Sequence, residues 1–382
     1  MRCFIQIILA IVFTFTISGA VYCPSVFAKD NIKIAVILAH SGPAKISDIC
    51  GLPAAELAVE AINAKGGVLG RHLEIISLDT QSTPIGAIKA ARKAIEYGVV
   101  GVIGAGWSSQ SLPLAKALQK AGIPMITPSS THPDVTKVGD YIFRVCFTDS
   151  FQGSALAKFA RNDLLTSTAA ILQNISESYS QDLARQFTHS YEASGGKILW
   201  QGEYKTNTAD FTPLLKRLKT LNPDVVFIPG YERDCGIILR QAGTLGIKFR
   251  FLGGDGWGND ILRVAGSSAE GSYYLTQWHP DYPSQKSRQL VELFRKRYPD
   301  FDENSIMLPL TYDAVSLMAD AISRAGSTET NELKKALQET ADYPGVTGLL
   351  SFDSTGDPVS RSATILQFSN GDSHFFKAIS FP

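Results

Sequence analysis

The sequence has 382 residues, of which 45% are hydrophobic and 19% are charged, and it contains 36 basic and 36 acidic residues. This composition is typical of a globular protein, and the length is sufficient for two domains. The balanced charge argues against nucleic acid as the main partner, because phosphate contacts require a basic excess. It also gives no reason to expect binding to an anionic membrane surface.

The first 28 residues have the pattern of a secretory signal peptide. Arg2 supplies the positive charge, residues 4–19 are almost entirely apolar, and Val26-Phe27-Ala28 resembles a cleavage site before Lys29. The sequence therefore predicts cleavage near Ala28 and export to the periplasm. A membrane anchor is the alternative, since an apolar run of about 18 to 20 residues could just span a bilayer. A bulky tyrosine before Cys23 makes a lipid-attachment site a poor match.

Three cysteines remain after the predicted signal peptide: Cys50, Cys146 and Cys235. They are far apart in the sequence and form no CxxC motif. An odd number in an oxidising compartment allows one disulfide at most. We expect all three to be buried thiols that pack as small hydrophobic side chains.

From residue 32 onward, short runs rich in β-branched residues alternate with amphipathic stretches of helical period. The first unit is predicted to contain strands at 32–38, 72–78, 99–103 and 123–126, with helices at 52–64, 85–97 and 112–120. Strands separated by single helices of this length form right-handed crossovers and a parallel sheet.

The alternation then restarts in a second unit. Its predicted helices are 151–165, 181–194, 211–221 and 236–245, and its predicted strands are 168–172, 197–203, 224–228, 249–252 and 271–275. Three helices follow, at 284–298, 308–325 and 330–339. The chain is predicted to end with strands at 347–352, 362–368 and 374–379.

Two tandem units of this kind predict an α/β protein with two Rossmann-like lobes. If the late helices and the last strands return to opposite lobes, the chain crosses three times, at 144–148, 275–280 and 348–352. Three short connections would form a hinge that bends without letting the lobes separate. The predicted N-terminal lobe is 29–146 plus 279–348, and the C-terminal lobe is 147–278 plus 349–382.

Candidate binding residues in the first unit follow two neighbouring strands. Ligands of open parallel sheets bind beyond the carboxyl ends of the strands. Trp107, Ser108 and Ser109 follow the strand at 99–103, where serine hydroxyls and free helix N–H groups could bind an anion. Ser129 and Thr131 follow the strand at 123–126, and their hydroxyls can both donate and accept. Helix capping and turn formation are the structural alternatives.

The second unit offers an acid and three aromatic residues at the corresponding positions. Tyr231 follows the strand at 224–228, and Asp255 lies in a glycine-rich strand exit, where it could meet a ligand ammonium group. Tyr179 and Trp257 could line an apolar pocket. The alternatives are a loop-capping role for Asp255 and core packing for the aromatic residues.

Several of these stretches resemble the branched-chain amino-acid-binding proteins of ABC transporters, the Leu/Ile/Val type of periplasmic receptor. The resemblance is carried by Ser41-Gly42-Pro43, by the segment INAKGGVLG at 62–70, by MITPSST at 125–131, by Asp210-Phe211 and Asn222-Pro223-Asp224, by Pro229-Gly230-Tyr231 and by GGDGW at 253–257. Each motif is weak alone, but their order and spacing span essentially the whole predicted mature chain.

The resemblance implies a type I periplasmic-binding fold with a three-segment hinge. It also implies that Ser108, Ser129 and Thr131 hold the α-carboxylate and α-amino group of an amino acid. Tyr179 and Tyr231 match two tyrosines of the family site, and Asp255 matches the acid that meets the α-ammonium. Two departures affect the side-chain pocket: Ser47 stands where some relatives have an aromatic residue, and Trp107 stands where a disulfide cysteine is frequent.

The predicted function is that of a monomeric periplasmic receptor that captures a small amino acid, with an aliphatic or aromatic side chain, and delivers it to an inner-membrane ABC permease. No cofactor, metal or nucleic acid is expected, because catalytic motifs are missing and the six histidines are scattered. A nucleotide-dependent Rossmann enzyme is one alternative, although the first strand leads into residues 39–43 and not into a GxGxxG motif. A ligand-sensing module of the same fold is the other.

Overall fold

The computed structural model describes residues 30–281, 284–359 and 362–380, so the predicted signal peptide lies outside the described residues. Within these ranges, no helix combines the length and apolar character needed to cross a membrane. The chain forms two α/β lobes, each built on its own sheet. This confirms the predicted fold class.

The sheet of the first lobe has five parallel strands in the order β2-β1-β3-β4-β5. They are β1 (Ile32–Leu38), β2 (Leu73–Asp79), β3 (Gly101–Gly104), β4 (Met125–Thr127) and β5 (Ile142–Arg144). The helices of this lobe are α1 (Lys45–Asp48), α2 (Gly51–Asn63), α3 (Pro84–Glu96), α4 (Ser108–Ala121), α10 (Gln285–Arg297), α11 (Met307–Ala325) and α12 (Thr330–Gln338). A small hairpin of β11 (Tyr343–Gly345) and β12 (Gly348–Leu350) accompanies them.

Both faces of the first sheet are covered, as its continuous apolar strands require. Along β1, Ile34 and Val36 pack on the side of α2 and α11, whereas Ala35 and Ile37 pack on the side of α3 and α4. Successive side chains of a strand point to opposite faces, so a single apolar run supplies both cores.

The sheet of the second lobe has seven strands in the order β14-β13-β10-β9-β8-β6-β7. The parallel strands are β6 (Thr168–Asn174), β7 (Lys197–Tyr204), β8 (Val225–Ile228), β9 (Arg250–Gly253) and β10 (Tyr273–Thr276). The antiparallel strands β13 (Ser362–Ser369) and β14 (Asp372–Ser380) extend one edge. The helices are α5 (Asp149–Lys158), α6 (Ser178–Ala193), α7 (Thr212–Leu221), α8 (Glu232–Thr244) and α9 (Asp260–Ala265).

The chain passes between the two sheets after β5, after β10 and between β12 and β13. The first two passages are tied together, because the backbone N–H of Phe147 donates to the Gln277 side-chain oxygen at 2.9 Å. Before β13, the chain stays on the first lobe: Phe352 packs in its core, and Asp357 contacts Arg144. The lobe boundaries remain a prediction, and these contacts favour a third crossing after residue 359 over one at 348–352.

Most predicted elements match the structure to within a few residues. The structure also contains four short α-helices and strands that were not predicted: α1, β5, α9 and β11. Each has three to six residues, too few to show a hydrophobic period. The helix predicted at 151–165 divides into α5 and a π-helical turn at Phe159–Asp163. The three cysteines are buried, as predicted.

Arg144 is fully buried at the end of β5 and joins three segments of the first lobe. Its Nε lies 2.6 Å from Asp357 Oδ1, one terminal nitrogen donates to the Ser130 carbonyl at 2.7 Å, and the other donates to the His132 carbonyl at 2.9 Å. Charge-assisted hydrogen bonds of this kind fix geometry strongly. The guanidinium therefore anchors the loop that carries Ser129 and Thr131.

Replacing Arg144 with methionine should leave Asp357 without its cation and the loop carbonyls without a donor. We expect the free energy of unfolding to fall by about 3 to 5 kcal/mol, the typical result of breaking a buried pair. Urea denaturation measures this change. The control is Lys137→Met, which removes an exposed pair with Asp134 at 3.4 Å and should change stability by less than about 1 kcal/mol. Equal effects of the two variants would contradict the assigned role of Arg144.

Candidate ligand-binding cleft

A cleft lies between the lobes, where loops that follow strands of both sheets meet. Its described lining includes seven of the nine residues predicted from the sequence. They are Trp107, Ser108, Ser129, Tyr179, Tyr231, Asp255 and Trp257. Ser109 and Thr131 are not among the lining residues. Loops that follow strands of the two separate sheets thus bring residues of both units to one cleft.

The first-lobe wall is built around the start of α4. Trp107 precedes this helix in an extended conformation and makes no side-chain cap. Ser111, one turn into the helix, accepts a hydrogen bond from the Ala105 N–H at 3.1 Å and lies 2.6 Å from the Ser130 hydroxyl. Ser111 therefore supplies hydrogen bonds to the loop before α4, and the Ser108 hydroxyl is not needed to cap this helix. The first-turn N–H groups of a helix have no partner within the helix and favour negative charge.

The second segment of this wall follows β4. The Ser129 hydroxyl donates to the Gly106 carbonyl at 3.1 Å, and Ser130 donates to the same oxygen at 2.8 Å. The Ser108 hydroxyl accepts from the His132 N–H at 3.3 Å, which ties the two loops together. Thr131 is 1% exposed, and its hydroxyl lies beside the buried Asp149 carboxylate, whose pKa burial raises and this hydroxyl lowers. The backbone carbonyl of Thr131 accepts from the Asp149 N–H at 2.9 Å.

The second-lobe wall presents Asp255, which is buried after β9. Its two carboxylate oxygens accept from Gln152 at 2.9 Å and from Gln277 at 3.2 Å, and the Gln152 oxygen accepts from the Asp255 N–H at 2.7 Å. The two amides lie on α5 and on the second crossing, and the Tyr179 hydroxyl is a third neutral group that hydrogen-bonds to this carboxylate. Burial raises the pKa of Asp255 to about 6, although these hydrogen bonds act to lower it. A bound cation would complete this arrangement.

Gly254 permits the close approach that holds Asp255. A Cβ at this position would overlap the Gln152 oxygen and the Tyr179 hydroxyl. The Tyr179 hydroxyl accepts a hydrogen bond from the Gly256 N–H at 3.1 Å. The glycine-rich strand exit is therefore shaped by side chains from α5 and α6.

Aromatic side chains meet across the cleft. The rings of Trp107 and Tyr231 stack with centroids 3.6 Å apart and planes 3° apart, and Tyr179 stacks on the Tyr231 ring at 5.1 Å. Because Trp107 belongs to the first lobe and Tyr231 to the second, the stack holds the lobes together in a closed arrangement. Such pairs contribute about 0.5 to 1.5 kcal/mol beyond the area they bury.

Trp257 lines the cleft with only part of its surface. Its indole N–H donates to the Ile228 carbonyl at 3.1 Å, and its ring stacks on Phe368 in the second core. Ser109 is placed beside Glu177 of the second lobe, and the Ser109 hydroxyl lowers the pKa of that acid, which burial raises to about 7.

Four acids of the cleft were missed in the sequence analysis, Asp260 and Asp302 as well as Asp48 and Glu232. Asp48 belongs to α1, a helix of four residues that shows no period, and it lies ten residues beyond the end of β1. Glu232 follows Tyr231 in the first turn of α8, where an acid is ordinary because it favours the helix dipole. The Ser47 hydroxyl donates to Glu232 at 2.8 Å and bridges the lobes. A search of every loop after a strand, and not only its first residues, would have included Asp48 and Glu232.

Most of the chain matches a known family model. Residues 31–373 match the model described as periplasmic binding protein. The leucine-, isoleucine-, valine-, threonine- and alanine-binding protein of Pseudomonas aeruginosa is 31% identical over 344 residues, covering 89% of this chain and 91% of that protein.

Solved structures agree with these matches. The leucine-binding protein of Thermotoga maritima is 31% identical with a TM-score of 0.87, covering 91% of this chain and 99% of that one. The branched-chain amino acid transporter substrate-binding protein of Streptococcus pneumoniae, solved with isoleucine, is 29% identical with a TM-score of 0.86, covering 92% of this chain and 99% of that one. With two lobes closing on a shared cleft and a family match along nearly its whole length, this chain belongs to the periplasmic binding proteins.

Proposed function

We propose that this protein is a monomeric, exported receptor that closes around an amino acid and delivers it to an ABC permease in the inner membrane. One observation carries the proposal: hydroxyl and helix N–H groups on the first lobe share a cleft with a buried carboxylate on the second. An amino acid carries the complementary pair of charges on adjacent groups. The relatives above are named as amino-acid-binding proteins, which supports the same function.

In this proposal the first lobe binds the α-carboxylate through Ser108, Ser129 and the start of α4. The second lobe brings Asp255 to the α-ammonium and Tyr231 to the ligand. Thr131 and Ser109 then support the site without touching the ligand. Thr131 contacts Asp149, and Ser109 lies beside Glu177. A ligand that makes these contacts only in the closed state shifts the lobes toward closure.

Delivery to a permease depends on that closed state, since closure presents both lobes to the membrane partner together. The relatives are binding proteins of transporters, which supports a carrier over an enzyme. In the described part of the chain, no three His, Cys, Asp or Glu side chains are placed to hold a metal ion.

Removing Asp255 should weaken amino-acid binding most. Asp255→Asn keeps the shape but loses the charge that faces the ligand ammonium, and we expect a loss of about 2 to 4 kcal/mol in binding free energy. Ser108→Ala should lose about 1 to 3 kcal/mol, as for a hydrogen bond to a charged group. Calorimetry with the tightest ligand from a thermal-shift screen of the twenty amino acids measures both.

The matched control is Ser323→Ala, whose hydroxyl donates to the Ala319 carbonyl inside α11, far from the cleft. It should bind like the unmodified protein. Unchanged affinity in Asp255→Asn would remove this acid from the binding site.

Binding should weaken in acid, because a proton on Asp255 competes with the ligand ammonium. The pKa of Asp255 is raised to about 6, so the affinity for an amino acid with a neutral side chain should be nearly constant above pH 7 and fall by about tenfold between pH 7 and pH 5. The ammonium favours the ionised carboxylate, so binding below pH 6 should release protons. Calorimetry in buffers of different ionisation enthalpy measures that release. A constant affinity from pH 7 to pH 5 would contradict the ion pair.

Export is tested by N-terminal sequencing of the protein recovered from the periplasm. We expect the first residue to be Lys29, since signal peptidase cuts after a small residue such as Ala28. Recovery of uncleaved protein in the membrane fraction would favour the anchor alternative.

A further inference from the structure

The cleft is lined by acids from both lobes. Asp48 and Asp302 come from the first lobe, and Glu232, Asp255 and Asp260 come from the second. Among the described lining residues there is no Lys, Arg or His. One of the five acids has a cation beside it, since Asp260 lies 3.0 Å from Arg263, whereas Asp302 Oδ1 accepts only from the neutral Asn304, through its side-chain and backbone nitrogens at 3.0 Å. Among the described residues, Asp48, Glu232 and Asp255 form no ion pair with a Lys, Arg or His side chain.

The buried Asp48 carboxylate has an incomplete set of hydrogen-bond partners. It is 3% exposed, and its Oδ2 accepts from the Ala39 N–H at 2.7 Å, but its Oδ1 is buried without a hydrogen-bond partner. Gly106 makes room for that oxygen, since a Cβ at position 106 would overlap it. An unpaired carboxylate removed from water costs several kcal/mol, on the order of the effective penalty for one buried ion. A proton on Asp48 or a cation bound to it would relieve this penalty.

Glu232 faces Asp48 from the other lobe. Its Oε2 accepts from the hydroxyl of Ser47, the residue next to Asp48. Burial raises the pKa of Glu232 to about 7, and Asp260 and Asp48 add to that rise. Burial likewise raises the pKa of Asp48 to about 7, with a contribution from Asp79. Closure thus brings two carboxylates into one cleft, and above pH 7, where both are mainly ionised, a positive charge between them would offset their repulsion.

This pair is separate from Asp255. Gln152 and Gln277 hold the Asp255 carboxylate, whereas Ala39 and Ser47 contact the Asp48–Glu232 pair. Tyr231 lines the cleft together with Glu232 and Asp255. Burial raises the pKa of Tyr231, and the acids Glu177, Asp255, Asp149 and Glu232 add to that rise. The cleft therefore offers one negative position for an α-ammonium and a second one further along the Tyr231 ring.

We propose that the cleft is selective for an α-amino acid with a second positive charge at the end of its side chain, of the lysine, ornithine or arginine class, and that Asp48 and Glu232 bind that charge. This inference rests on the proposed function, and it adds the class of ligand. The ligands named for the relatives above are neutral amino acids, whereas here the second charged position comes from Asp48, Glu232 and the small Ser47 beside them.

The test compares charged ligands with neutral ones of the same shape. Calorimetry is done at pH 8, above the raised pKa values of both acids, with L-lysine against L-norleucine and L-arginine against L-citrulline. We expect at least one charged ligand to bind more than about tenfold tighter than its neutral counterpart, as for a close charge pair. This comparison uses the unmodified protein and does not depend on the folding of a variant.

Two variants then locate the charge. Asp48→Asn and Glu232→Gln should each reduce the preference for L-lysine over L-norleucine by about tenfold, while L-norleucine affinity stays the same or rises. The control is Glu60→Gln, an exposed acid on α2 that lies 4.0 Å from Arg297. It should leave the preference unchanged, and circular dichroism checks that all variants fold.

The possible failures are distinguishable. Equal binding within both pairs, L-lysine with L-norleucine and L-arginine with L-citrulline, would overturn the selectivity and leave the proposed amino-acid receptor intact. Binding of 1,5-diaminopentane with no binding of any amino acid would overturn the proposed function itself, and the inference with it. A preference for L-lysine that survives in both Asp48→Asn and Glu232→Gln would overturn the assignment of these residues.

Discussion

A carboxylate that leaves water needs a partner, and the cleft of this protein is organised around that constraint. Asp255 is buried between Gln152 and Gln277, which donate hydrogen bonds but carry no charge. Neutral donors hold the carboxylate in place without neutralising it, so its pKa is raised by burial. Asp255 therefore lacks an ion-pair partner within the protein, and a ligand that carries a cation can form that ion pair.

The same constraint connects the binding site to the hinge. Gln277 lies on the second passage between the lobes, and its oxygen accepts from Phe147 on the first passage. A residue that orients Asp255 therefore lies on the connections between the lobes. If the lobes bend at these connections, as the sequence predicts, a change in lobe angle would alter the surroundings of Asp255 and would link ligand binding to closure.

Aromatic stacking and acid repulsion act in opposite directions on closure. The Trp107–Tyr231 stack joins the lobes, whereas Glu232 and Asp48 bring like charges together. The balance of two such opposing contributions makes closure sensitive to the ligand, because small differences in free energy decide which state is populated. A ligand that neutralises the acids while leaving the stack in place favours the closed state on both counts.

Much of the architecture was predictable because it depends on local pattern. The alternation of β-branched runs and amphipathic helices gave both sheets, and the strand-exit rule selected seven residues that line the cleft. It did not separate Ser108 from Ser109, which are adjacent in the chain but lie on different sides of α4. Nor did it distinguish Ser129 from Thr131, because the direction of a loop side chain depends on contacts such as those of Arg144 with the Ser130 and His132 carbonyls.

The sequence by itself determined the two-lobe α/β plan, the first two crossings, the buried cysteines and the position of Asp255 after a strand, since strand and helix periods are short-range and a glycine-rich strand exit is a local signal. Only the tertiary structure decided that Asp48 and Glu232 face each other, that Gln152 and Gln277 hold Asp255, and that Trp107 stacks on Tyr231. The members of these pairs are far apart in the chain. An aspartate or glutamate is also written the same way in the sequence whether its carboxylate is solvated or buried. Burial and partner depend on how the two lobes pack, which no single stretch of sequence contains.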